Sequence, residues 1–266
     1  MRTSIVASTQ PASFSAVAYK GELEQSLQTI AGLGYDGVEL AVRDPNLLDI
    51  EDLTCLIKKN QLKVPAIGTG QAFGEEGLCL SHDDMTIRQN SIKRLLSHID
   101  LASRFDAVVI VGLIRGQSCP AGKTAAESRI VEGLQACADH NAGVRLVIEP
   151  INRYETEFIN TVESGLVFLD KVNRNNVGLL LDTFHMNIEE PSMERSLKLA
   201  GNKVFHVHLA DSNRWYPGAG HIDFRSIFQT LSDMDYNDYV SAEIMPLPDA
   251  QTAAEKTMET LSSLLF

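Results

Sequence analysis

The sequence predicts an α/β fold, a single (β/α)8 TIM barrel formed by residues 1–266, and two observations carry that expectation. Eight short β-branched runs alternate with longer segments whose apolar residues recur three or four apart, as repeated βα units closing a parallel sheet would require. The length of 266 residues matches one such barrel and calls for no second core. No linker rich in Pro, Gly or Ser, no charge block and no low-complexity stretch divides the chain, so one domain is expected.

The eight runs fall at residues 3–7, 37–40, 63–67, 107–111, 145–149, 177–182, 203–209 and 239–243. Helical periodicity is clearest at residues 22–33, 84–103, 125–141 and 250–264. The longest stretches without either period are residues 68–83, 112–123, 150–161 and 211–223, each following a strand. In this fold the loops after strands build the active-site face, so their composition carries functional information.

Composition narrows the classes of function. Hydrophobic residues at 44% and charged residues at 22% are a globular balance, and no apolar run approaches the roughly 18 residues of a membrane helix. The N-terminal MRTSIVASTQ alternates as a strand would and is too short in apolar residues for a signal peptide, so a cytoplasmic protein with no membrane partner is expected. A net charge of -12 without any Lys/Arg run would repel a polyphosphate, which argues against nucleic acid as a partner. Cys55, Cys79, Cys119 and Cys137 form no CxxC pair and are expected as free thiols.

Four consecutive strands, the fifth to the eighth, each end in a metal-binding residue type: Glu149, Asp182, His208 and Glu243. Their separations of 33, 26 and 35 residues are each about one βα unit, which returns the chain to the same rim of the barrel. Taken singly, an acid at a strand end is as readily a helix N-cap or a solvated rim charge; four in register point to a shared site, because caps would include Ser, Thr and Asn as often. Three carboxylates and an imidazole suit one divalent ion, Mn²⁺, Mg²⁺ or Co²⁺, with positions open for substrate oxygens. Glu149 and Glu243 are the candidate general base and general acid, one on each face of a carbon beside a carbonyl, an arrangement that implies epimerisation through an enediolate.

These residues resemble the ketose 3-epimerases typified by D-tagatose and D-psicose 3-epimerases, within the xylose-isomerase-like barrels. The likeness spans nearly the whole chain and is most specific in EPINRYETEFINT from Glu149, LDTFHMNIEE from Leu181, HVHLADSNRWYPGAGHIDF from His206 and the terminal AEIMP. It implies that Glu149, Asp182, His208 and Glu243 hold the metal, Mn²⁺ foremost, that both glutamates exchange the proton at C3 of a free ketose, and that Glu155, His185 and Arg214 contact the sugar. It also implies a homo-oligomer, dimer or tetramer. Alternatives are a ketose-phosphate 3-epimerase, an aldose–ketose or hydroxypyruvate-type isomerase, a non-catalytic sugar-binding barrel, and, remotely, an apurinic-site endonuclease, whose trinuclear zinc cluster needs histidines where this chain has Gly68 and Gly112.

For single residues the reading stays open. His185 could donate to a sugar oxygen or be a packed histidine, and Arg214 could bind substrate or be a rim charge paired with Asp211. His206 shares a strand face with His208 but lies deeper, and backs the site. Glu39 could orient a hydroxyl or be a buried acid satisfied by the backbone. Arg115 could grip a phosphate, although a solvated loop charge is the better reading. Trp215 and Phe73 are candidates for an apolar wall against the sugar. The glycines of IGTGQAFGEEG follow neither dinucleotide nor P-loop spacing.

Overall fold

The computed structural model describes residues 1–118 and 120–265. Eight parallel strands close a barrel: β1 (Arg2–Ser8), β2 (Gly37–Ala41), β3 (Ala66–Gly68), β4 (Val108–Val111), β5 (Leu146–Ile148), β6 (Val177–Asp182), β7 (Val204–Leu209) and β8 (Tyr239–Ala242). Closure comes from β1 pairing with β8, in register from Arg2 with Tyr239 to Ile5 with Ala242. All eight expected strands are present. β3 starts later than expected because Pro65 has no N–H to give a ladder; its carbonyl still accepts from the Val108 amide, and Lys63 makes an isolated bridge to Gly37.

A helix or helix pair follows each strand, and the expected helices appear within two residues of their periodic segments, as Leu23–Gly32, Met85–Ser103, Lys123–His140 and Ala250–Leu265. Two short helices were not anticipated as such: Gly70–Glu76, inside a segment expected to be irregular, and Thr183–Glu189, directly after β6. Both sit at the mouth, the end at which the strands terminate. A two-residue strand, Tyr19–Lys20, was also unforeseen; it pairs with Ala7 and Ser8 of β1 on the edge that β8 has left by Ile5, and so secures the β1 loop over the mouth.

Strand alternation divides the core. Ala66, Val108, Ile110, Val147 and Leu180 pack with Phe205 inside the barrel, while their neighbours Val109, Val111, Leu179 and Leu181 join the larger layer between sheet and helices. The interior is therefore apolar at its floor and polar above it, where Glu39, His206, His208 and Asp182 are all buried. Cys55, Cys79 and Cys137 are free thiols, as expected, and Cys119 lies outside the described residues. Among the described residues no helix is long and apolar enough to cross a membrane.

Gly37 marks the tightest approach of a strand glycine to backbone. A Cβ there would lie 2.8 Å from the Lys63 carbonyl oxygen, a backbone atom that cannot swing away. Gly37→Ala is expected to cost about 1–3 kcal/mol through overpacking, measured as a lower denaturant midpoint with an unchanged m value.

Candidate active site

The barrel brings the four strand-end residues together. Glu149 follows β5, Asp182 ends β6, His208 lies in β7 and Glu243 follows β8, and one donor atom from each falls within 4.8 Å of all the others. Glu149 Oε1, Asp182 Oδ2 and His208 Nδ1 are buried with no hydrogen-bond partner. Three converging orphaned donors of this kind would be costly in a protein that bound nothing there. The donor set, three carboxylates and one imidazole nitrogen, fits a divalent cation.

Asp182 also satisfies the bland reading, since its Oδ1 accepts from the Phe184 amide at 2.7 Å and caps Thr183–Glu189 while Oδ2 turns to the cluster. The imidazole of His208 is aimed from behind. Its Nε2 donates to both oxygens of Glu39 at 3.0 and 3.1 Å, and His206 Nε2 donates to Glu39 Oε2 at 2.8 Å. Glu39 therefore neither waits for a substrate hydroxyl nor relies on backbone donors; it orients two histidines and leaves Nδ1 of His208 facing the other ligands. Glu39, His206 and His208 also form a close group of donors, but their atoms are already spent on one another.

Of the three residues expected to touch substrate, each is at the cluster. Arg214 has left-handed backbone, φ 62°, and its buried guanidinium bonds Glu243 Oε2 and lies 3.7 Å from Asp182 Oδ2 and 3.9 Å from Glu155 Oε1. It is not a rim charge on Asp211; that carboxylate instead accepts the amides of Ser212, Gly218 and Ile222 and shapes the loop. His185 is buried, with Nε2 3.6 Å from Glu149 Oε1. Its ring is held by Asn152, a residue that motif and spacing did not single out. The Tyr154 amide donates to Asn152 Oδ1, so the Asn152 amide nitrogen donates to His185 Nδ1 at 2.7 Å and to Glu155 Oε1 at 2.9 Å. Arg214 Nη1 lies 3.3 Å from Nε2, so both ring nitrogens are engaged and the ring is fixed beside the cluster.

Electrostatics follow from this crowding. Burial, then Glu243, pushes Glu149 well above the ordinary carboxylate range, and burial raises Glu243 likewise. Burial opposes ionisation of Asp182, but His185, Arg214 and His208 outweigh it and hold it low. Burial disfavours charge on His208, yet Glu39 and Glu243 raise it to about 10. Burial lowers His185 to about 4, so it is neutral near pH 7.

The cluster opens into a cavity of about 200 Å³. Glu155, His185, Arg214, Phe14, Val17 and Gln71 are among its walls. Phe14, in the β1 loop, takes the place expected of Trp215 and Phe73: its ring lies 5.7 Å from the Arg214 guanidinium, whereas Phe73 packs on the core and Trp215 lines no part of the cavity. Gly112 leaves space for the carboxylate, since a Cβ there would crowd Glu149 Oε2 at 3.0 Å. Arg115 is a correction. It is fully buried rather than solvated, and its guanidinium donates to the carbonyls of Gly112 and Phe158, tying the β4 loop to the β5 loop.

Comparison with known proteins adds a direct test of the resemblance. The family model described as xylose isomerase-like TIM barrel matches residues 27–264. The chain belongs to that family. It is similar to an L-ribulose 3-epimerase from Methylomonas sp., 35% identical over 80% of this chain and 75% of the relative, and to a D-psicose 3-epimerase from Agrobacterium fabrum, 32% identical over 82% and 77%. The crystal structure of a D-allulose 3-epimerase from Methylomonas sp. in complex with D-allulose superposes with a TM-score of 0.85 at 27% identity, covering 99% of this chain and 97% of that one.

Two predictions follow from the site. Glu149 and His208 both have folded values above their ordinary ones of 4.5 and 6.5, so each stabilises the metal-free fold below that ordinary value and loses the contribution as pH rises toward the folded value, about 10 for His208. Asp182 and Glu39 are lowered and act oppositely, only in acid. The melting temperature of chelator-treated protein is therefore expected to fall from about pH 6 to pH 9, and added Mn²⁺ to restore most at the alkaline end, as differential scanning fluorimetry would record. Asn152→Leu removes the hydrogen-bond partner of His185 Nδ1 and should shift the ¹⁵N resonance of that ring nitrogen; an unchanged resonance would show that Asn152 does not hold the ring.

Proposed function

We propose that the protein is an isomerase, a divalent-metal-dependent ketose 3-epimerase acting on a free ketose of the D-tagatose, D-fructose or D-psicose type. The observation that carries this reading is the approach of Glu149 and Glu243 from strands on two sides of one cation-fitting cluster, in a chain whose curated relatives are named 3-epimerases. Glu149, Asp182, His208 and Glu243 would hold the metal, with Mn²⁺ first and Mg²⁺ or Co²⁺ as substitutes. Bound there, the ion would supply electrophilic stabilisation of negative charge developing on the sugar oxygens.

The chain's own residues account for the proton transfers. One glutamate removes the proton from C3, the C3–H pair moves toward the C2 carbonyl oxygen, and the other glutamate, as its acid, returns a proton to the opposite face of C3. Both raised carboxyls suit this work, because each must hold a proton in one direction of a reversible reaction. His185, whose Nε2 lies 3.6 Å from Glu149 Oε1, and Glu155 contact the sugar, while Arg214 binds hydroxyls and offsets the negative charge of the cluster.

A free sugar is favoured over a phosphorylated one by the cations available. Arg115, the residue that kept a phosphate open, is committed to carbonyls below the cavity, and Arg214 is paired with acids. The endonuclease reading finds glycines, Gly68 and Gly112, on the cavity wall where its histidines are needed.

Incubation of Mn²⁺-loaded protein with ketoses and ketose phosphates in deuterated water tests the proposal. Deuterium at C3 with inverted product is expected, and label at C1 or C2 would indicate isomerisation instead. Glu149→Gln and Glu243→Gln should each lower kcat by roughly 10²–10⁴-fold.

A further inference from the structure

Gln71 lies on the cavity wall in the helix Gly70–Glu76, which follows β3 and so stands across the ring from β7 and His208. Its residue is 5% exposed. Its Nε2 donates to Ser8 Oγ at 2.7 Å, and its Oε1 is buried with no hydrogen-bond partner. The orientation of the amide is decided by Ser8, which gives its only hydroxyl hydrogen to the Gln10 carbonyl. Toward Gln71 it can then only accept, so the NH2 group must face Ser8 and the carbonyl oxygen must be the free atom. Nor can neighbouring Thr69 serve it, because the Thr69 hydroxyl donates to the Ile110 carbonyl at 2.7 Å.

A buried acceptor without a donor is costly, and on a cavity wall the missing donor is supplied by what the cavity receives. We propose that Gln71 is a specificity-determining residue whose Oε1 accepts a hydrogen bond from a hydroxyl on the part of the ketose remote from the reacting carbon. The inference rests on the ketose 3-epimerase reading and deepens it. A hydroxyl can donate to this oxygen. A phosphate dianion presents only lone pairs and is repelled, while a methylene or a truncated chain leaves the acceptor desolvated and unpaired. Sites built to pair a substrate hydroxyl discriminate against analogues lacking it more strongly than apolar walls can.

The test compares kcat/KM of Mn²⁺-loaded wild type and Gln71→Met on a ketohexose, a ketopentose and a ketotetrose, the last lacking the remote hydroxyls. Gln71→Met removes the acceptor at similar volume. It is expected to lower kcat/KM on the longer ketose that wild type prefers by about tenfold and to change the ketotetrose value less than about twofold. Ser8→Ala frees the amide to turn its NH2 into the cavity, should reproduce part of the same selective loss, and carries the test if Gln71→Met does not fold. An equal loss on all three sugars, or no loss on the preferred one, overturns the role of Gln71 while leaving the epimerase reading intact. A wild type that epimerises none of them overturns that reading and this inference with it.

Discussion

The mouth of this barrel is organised by one constraint: five acidic side chains, Glu39, Glu149, Glu155, Asp182 and Glu243, crowd one small volume, and all but Glu155 are buried or nearly so. Like charges at such separations cannot all persist without compensation. The protein offsets them in three ways. Glu39 takes two imidazole N–H groups, Arg214 lies among Glu243, Asp182 and Glu155, and the remaining excess raises the carboxyls of Glu149 and Glu243 and leaves a place that fits a divalent cation. Most other features of the mouth serve this balance. The left-handed backbone at Arg214 and the Asp211 loop that frames it turn a long cation inward, and Gly112 leaves room for the Glu149 carboxylate.

The barrel supplies the distances. Strands β5 to β8 are neighbours in a closed parallel ring, so groups at their ends point over one opening, and the register of β6 with β7 sets Asp182 directly beside His208. This is why the site could be read from the chain at all. A ligand type recurring once per βα unit is a linear signal of a spatial ring, and its spacing survives however the intervening helices are packed. The strands were legible for the same reason: apolar runs such as VVIV of β4 and VGLLL of β6 are buried on both faces and read as continuous stretches, which single out a parallel sheet.

What escaped the sequence are relations between residues far apart in the chain. Glu39 reads as an isolated acid because its partners are 167 and 169 residues away. Arg115, in a loop with Gly112 and Gly116 on either side, has every local mark of a solvated charge, yet the β5 loop folds over it and offers carbonyls. Asn152 lies inside the most specific motif of the chain, but only its three-dimensional place between Tyr154, Glu155 and His185 shows what it does. Phe14 belongs to a stretch with no periodicity of either kind, held across the mouth by the short pairing of Tyr19–Lys20 with β1. In each case a tertiary contact decided the outcome where local propensity and spacing were silent.

The same division separates chemistry from selection. The reacting end of the cavity is rich in charge, and its residues come from β5 to β8 and the loops that follow them. The opposite wall, from the loops after β1 and β3, offers Ser13, Phe14, Val17, glycines, the neutral amide of Gln71 and Glu75, which is paired with Arg43. Charge is thus concentrated where a proton must move, and on the opposite wall it is confined to the Glu75–Arg43 pair. A wall of that kind cannot hold a phosphate, because no cation on it is free to pair with one, but it can distinguish hydroxyls by the direction of single hydrogen bonds. Changes in substrate preference among barrels of this type would then be expected on the β1 and β3 loops, where substitutions leave the balance of charge at the cluster undisturbed.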